Sequence, residues 1–200
     1  MISFSVFSTL RKLIESKNKT VIISFCRMNP PTKGHLRLME KLTELGKLYN
    51  AQALLYLSHS TDSKKNPLSY SYKLDFISKI APKKLKVMKS EAKNIFDVLK
   101  SVAKLGASEV IIVAGSDRIK EFERFRKYAP ELGLSDISIV SAGDRDPDSE
   151  ADSIEGISAT KLRGFALADD FRNFEKNCAS FNDHRLSRDL FYTTRKGLGL

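Results

Sequence analysis

The stretch Phe25–Glu40, "FCRMNPPTKGHLRLME", decides how this chain is read. It closes an apolar, β-branched run, Val21–Cys26 ("VIISFC"), and opens an amphipathic one in which Leu38, Leu42, Leu45 and Tyr49 recur at steps of four, three and four. A strand therefore hands over to a helix through a loop that carries two prolines. Pro30 and Pro31 stiffen that loop and pre-set its backbone. Gly34 removes a side chain where the helix begins, and His35 falls in its first turn. Unpaired amides and the positive end of the helix dipole make such a place a natural phosphate site. A histidine there can donate a hydrogen bond to a phosphoryl oxygen. Neither Gly-x-Gly-x-x-Gly nor the Gly-Lys-Ser/Thr of a P-loop is present. On this stretch alone, a plain turn with a surface histidine stays open as the competing reading.

Four more apolar runs follow: Ala53–Leu57, Leu85–Met88, Val110–Ala114 and Ile137–Val140. Each is short, rich in strand-forming residues and bounded by turn residues. Helical patterns lie between them, clearest over Ile95, Val98, Val102 and Leu105, and weaker over Ile119, Phe122 and Phe125. Alternating strands and helices predict an α/β fold, a single doubly wound parallel sheet whose ligand crevice lies at the carboxyl ends of its strands. Two hundred residues suit one such domain, expected over 20–170. A helical leader over 1–19 and a helical extension over 171–200 are expected to flank it. The acidic, turn-rich segment Ser141–Ser153 reads as a mobile loop.

Composition narrows the setting. No apolar run approaches the roughly 20 residues of a membrane helix, so no membrane partner is expected. Two distant cysteines, Cys26 and Cys178, offer neither zinc-ligand spacing nor a redox pair, which fits a reduced, cytoplasmic setting. A formal charge of +10 either attracts polyanions or simply keeps the chain in solution.

The loops after the later strands tell more. "SHSTDSKKNPL" (Ser58–Leu68) carries hydroxyls, Lys64, Lys65 and Asn66. "AGSDR" (Ala114–Arg118) is a Gly-Ser-Asp turn opening a helix, and "GISATKLRG" (Gly156–Gly164) places Ser158 as a helix N-cap with Thr160, Lys161 and Arg163 behind it. Hydroxyls, helix amides and an arginine fork together would clamp an oligophosphate.

These residues resemble the Rossmann-like nucleotidyltransferase superfamily that carries a (His/Thr)-x-Gly-His motif after the first strand and Ile-Ser-x-Thr-x-x-Arg near the end. Both motifs stand here, as Thr32–His35 and Ile157–Arg163. Within it the chain is most similar to nicotinamide mononucleotide adenylyltransferases, through Asn66-Pro67-Leu68 and Gly115-Ser116-Asp117. The C-terminal part, and an N-terminus with Phe4, Phe7 and "LIE" (Leu13–Glu15), resemble adenylyltransferase-like proteins of tailed phages. Two positions depart from the motif: Cys26 stands where the family has glycine, and Met28 where it has phenylalanine.

The resemblance implies attack by an acceptor phosphate on the α-phosphorus of ATP, with Mg²⁺ arriving on the triphosphate and no metal held by protein carboxylates. It casts His35, Thr32 and Arg27 at the transferring phosphate, with Gly34 beside them. Ser158, Thr160 and Arg163 take the β,γ-phosphates, Gly115 and Asp117 the adenosine side, and Lys64, Lys65 and Asn66 the acceptor. It also implies a homo-oligomer. The alternative of another class is a virion or nucleic-acid-associated protein that keeps the nucleotide fold without turnover. His59 reads as either a phosphate contact or a loop histidine, and Cys26 as a packed thiol rather than a nucleophile.

Overall fold

A computed structural model describes residues 19–143 and 158–200. The expected leader, and most of the acidic loop, lie outside the described residues. Five strands, β1 (Thr20–Cys26), β2 (Gln52–Leu57), β3 (Leu85–Met88), β4 (Glu109–Ala114) and β5 (Asp136–Ser141), form one sheet in the order β3-β2-β1-β4-β5. Every pairing is parallel. The five apolar runs of the sequence are these five strands, to within a residue at each end.

Helices cover both faces. On one side lie α1 (Lys33–Leu48) and α2 (Tyr70–Ile80), joined by α5 (Ala159–Leu167), α6 (Phe171–Asn177) and α7 (His184–Gly197). On the other lie α3 (Ile95–Lys104) and the short α4 (Ile119–Glu123). Because both faces are buried, the strands read as continuous apolar runs rather than alternating ones. Ile22, Leu55 and Ile111 face α1 and the C-terminal helices, while Val21, Ile23, Leu54 and Val110 face α3.

Helix starts follow their caps. Ser69 caps α2, Asn94 caps α3 and Ser158 caps α5, each side chain accepting an amide hydrogen bond from three residues on. Asn66-Pro67 therefore does not open α2; the helix begins three residues after Pro67. Tyr49 and Leu105, expected on buried helix faces, are the terminal caps of α1 and α3 and lie largely in solvent. The helical pattern through Phe125 stops at Glu123, and Phe122 is its buried residue.

The C-terminal helices are integral to the core, not an appendage to it. Phe174, Leu190 and Phe191 are buried in the same cluster as Ile22 and Leu42. Phe191 meets Phe171 and Phe174 edge-on, at centroid separations of 5.3 and 5.1 Å. Gly197 at the end of α7 touches Pro67 so closely that a Cβ there would lie 2.0 Å from the Pro67 carbonyl oxygen. That contact explains a glycine where a helix would favour alanine.

If the C-terminal helices are part of the folding unit, Phe191→Ala lowers the stability of the whole domain by about 3–5 kcal/mol in urea unfolding. Removing its exposed neighbour by Tyr192→Ala costs less than about 1 kcal/mol. Equal effects from the two would place α7 outside the cooperative unit.

Candidate active site at the strand ends

Strand order reverses between β1 and β4, and a cleft of about 430 Å³ opens at the carboxyl ends of these two strands. Ser24–Asn29 form its floor, with Ala114, Gly115 and Asp117 on the β4 side and Ser158, Thr160 and Arg163 at the start of α5. Thr32, Gly34 and His35 enter from α1, and Lys65 and Asn66 from the loop after β2. The residues assigned from the resemblance to the transferring phosphate, the β,γ-phosphates, the adenosine side and the acceptor all meet here except Lys64, an exposed turn residue; Lys161 and His59 do not line the cleft either. Arg37 and Arg118 line it too, although no local motif marks either as a site residue. Among the described residues, five cationic side chains (Arg27, Arg37, Lys65, Arg118 and Arg163) and one carboxylate, Asp117, line the cleft. The cleft is built for an anion.

Hydrogen bonds within the cleft assign the roles of its polar atoms. Thr32 is the N-cap of α1, and its backbone N–H donates to His35 Nδ1 at 2.9 Å. A nitrogen that accepts an N–H carries no proton, so the neutral imidazole keeps its hydrogen on Nε2. Ser158 Oγ accepts the Lys161 amide at 3.1 Å, and Thr160 Oγ1 accepts from Arg163 Nη2 at 2.9 Å. Each hydroxyl retains its own proton to give. Burial draws the Arg163 guanidinium below its ordinary pKa; nearby Asp62 opposes this and Arg27 adds to it. A Cβ at Gly115 would come within 2.6 Å of Asp117 Oδ1, so a larger residue there would have to turn the Asp117 carboxylate away. Gly34 has room for one, at 3.6 Å from Thr32 Oγ1, so the fold does not demand glycine there.

The loop between β1 and α1 is held from three directions. Asn29 is buried, and its side chain pairs with Leu68 in both senses, accepting the amide at 2.8 Å and donating to the carbonyl at 3.2 Å. Its own carbonyl accepts from Arg163 Nη1 at 2.8 Å. Pro31 accepts the Ala179 amide, and Thr32 bridges Cys178. Between these anchors Met28 takes φ +45°, a region that residues with side chains seldom enter. The Asn29–Pro30 peptide is cis.

Several expectations change. Asn66 donates its side-chain amide to Asp62, which also gathers the amides of Lys64 and Lys65. Asn66 thus holds a turn, and these hydrogen bonds push the Asp62 carboxyl well below the carboxylate range. His59 stacks on Tyr70 at 3.8 Å and lies 2.6 Å from the Ser90 carbonyl, so its ring braces the loop instead of facing the cleft. Ser24 Oγ donates to the Val113 carbonyl at 2.8 Å and so accepts from the Cys26 thiol at 3.2 Å. Burial raises the Cys26 pKa, which disfavours the nucleophilic thiolate. Among the described residues, no group of three His, Cys, Asp or Glu could hold a metal ion. No helix among them is long and apolar enough to cross a membrane.

A profile of the Cytidylyltransferase-like family matches residues 25–165, well over half of the chain. The chain belongs to that family. The matched span runs from the end of β1 to the second turn of α5, so it contains every residue lining the cleft except Ser24. Among solved structures, the chain is similar to a Vibrio parahaemolyticus protein assigned as a nicotinate-nucleotide adenylyltransferase, with 17% identity and a TM-score of 0.58. The match covers 86% of this chain and 98% of that one. At that identity the likeness speaks for the fold. No curated protein sequence matches the chain significantly.

The sequence also gave no sign of Lys73. It is buried on α2, and burial lowers its pKa from 10.5 to about 8. Between those values the unfolded chain binds the proton that the folded chain has released, so this group makes stability rise with pH across that window. Relative to Lys73→Met, the wild-type protein should gain about 3 kcal/mol between pH 8 and 10.5 in denaturant titrations. Parallel stability profiles for the two proteins would mean that Lys73 titrates normally.

Proposed function

We propose that the protein is an adenylyltransferase that moves AMP from ATP to a phosphorylated acceptor, nicotinamide mononucleotide or a close relative. The observation that carries this reading is the convergence of the His35 imidazole, two helix N-termini and Arg163 on one cationic cleft at the sheet's switch point. A cavity of about 430 Å³ lies within the range that small-ligand sites occupy.

An acceptor phosphate oxygen attacks the α-phosphorus of Mg²⁺-ATP in line. The new P–O bond forms as the bond to the β-phosphate oxygen breaks, and pyrophosphate leaves. The protein's part is positioning and charge stabilisation. His35 Nε2–H and the α1 amides meet the charge on the transferring phosphoryl group, with Thr32 fixing the ring and Arg27 at the side. Ser158, Thr160 and Arg163 hold the β,γ-phosphates as they depart. Asp117 suits ribose hydroxyls, and Lys65 an acceptor phosphate. Mg²⁺ enters as part of the nucleotide substrate. Cys26 is compatible with this chemistry, because its thiol engages Ser24 within the cleft wall.

The test is pyrophosphate release from Mg²⁺-ATP with a panel of acceptors: nicotinamide and nicotinate mononucleotides, phosphopantetheine and flavin mononucleotide. A mononucleotide is expected to be the best acceptor, and His35→Ala to lower kcat by about 10²–10³-fold. Release with no acceptor, or release unchanged by His35→Ala, overturns the reading and leaves a nucleotide-fold protein without turnover.

A further inference from the structure

Among the described residues, Lys73 is the one lysine that is fully buried. It does not line the cleft, and no part of the proposed chemistry uses it. Its ammonium donates to two backbone carbonyls, Arg27 at 3.1 Å and Ser58 at 2.7 Å. These are the first residues past the last paired position of β1 and β2, where Cys26 lies opposite Leu57. The Ser58 amide donates back to the Cys26 carbonyl at 2.9 Å, closing the ladder. Beyond that point the two chains part, one toward the cis-proline loop and α1, the other toward the Asp62 turn.

A fork of this kind leaves carbonyls pointing into a buried space with no strand to pair them. A hydroxyl, with one proton, could satisfy only one of them. An ammonium satisfies both, at the cost of holding a charge where it is poorly solvated. The position of Arg27 gives that arrangement a consequence for the cleft. With its carbonyl turned inward and fixed by Lys73, the Arg27 peptide plane is set, and the side chain leaves on the cleft side. Met28 follows in its left-handed conformation, and Asn29 is pinned independently by Leu68 and Arg163. Lys73 therefore anchors the near end of the loop whose far end carries Thr32 and His35.

We propose that Lys73 is a positioning residue for this cleft: its ammonium ties the loops after β1 and β2 at their point of divergence and thereby aims Arg27 and the α1 N-terminus. The inference rests on reading the cleft as an adenylyl-transfer site for its effect on rate, though the tie between the loops can be measured without turnover.

The experiment compares wild-type protein with Lys73→Met, Lys73→Gln and Lys73→Arg by hydrogen–deuterium exchange and by steady-state kinetics. In Lys73→Met, exchange over 27–32 and 58–62 is expected to accelerate by about tenfold or more while β4 amides keep their protection. The kcat falls by about 100-fold, with KM for ATP changed by less than about threefold. Lys73→Arg, which retains the charge and the donors, restores most of both. Should Lys73→Met fail to fold, Lys73→Gln is read in the same way. Unchanged loop exchange, or acceleration shared equally by β4, overturns the proposal. A kcat that stays at the wild-type value while the loops loosen also overturns it. Wild-type protein that turns over no acceptor removes the adenylyl-transfer reading instead, and loop exchange still decides whether Lys73 ties the two segments.

Discussion

The fixation of one short loop, Arg27–Thr32, is the constraint on which the rest of the site depends. Its carbonyls and its one buried amide side chain reach α2, the segment before α2, α5 and the segment after α6. The partners come from stretches of chain far from the loop in sequence that gather on one face of the sheet, so the loop takes its shape only when that layer is assembled. A residue such as Met28, at φ +45°, persists because anchors on both sides over-determine its neighbours. Rigidity here matters chemically, since phosphoryl-type transfer relies on position more than on covalent participation.

The same constraint binds the C-terminal helices to the site. Ala179 donates to Pro31, Gly197 rests on Pro67, and the Tyr72 hydroxyl donates to Asp189 at 2.7 Å. Burial and that neighbouring carboxylate hold the Tyr72 phenol well above its usual range. The helices that follow α5 thus buttress the loop after β1 and the segment leading into α2 while completing the core with Phe174 and Phe191. Function and stability share these contacts, so the boundary drawn near residue 170 from the sequence marks a change in pattern and not a separable body.

Electrostatics completes the arrangement. Internal hydrogen bonds make acceptors of His35 Nδ1 and of the Ser158 and Thr160 hydroxyls, in a cleft also lined by arginines and a lysine. Arg118 is held by both oxygens of Glu121, at 3.1 Å each, which fixes its fork at the cleft edge. A phosphate-bearing ligand would find partners already oriented, and little ordering would remain to oppose binding.

Local patterns made much of this legible in advance. Strand runs, the Ser158 cap, the Gly-Ser-Asp turn and the Thr-Lys-Gly-His loop announce themselves because their chemistry is written in adjacent residues. The parallel order of β1, β2, β4 and β5 follows from alternation with helices, and the carboxyl-end crevice follows from that order. Lys73, in "YSYKLDFI", looks like any lysine on a helix surface, and Asn29 like any turn residue. His59, open between a phosphate contact and a loop histidine, is a brace on Tyr70, while Lys64 lies outside the cleft that Lys65 enters. By itself, then, the sequence determined the strands, the Ser158 helix start and the loops that gather at the sheet's carboxyl edge, since these depend on periodicity and capping over a few residues. The tertiary structure alone decided which side chains are buried at the fork of two strands and which loop groups face each other, because burial is a property of what packs on top.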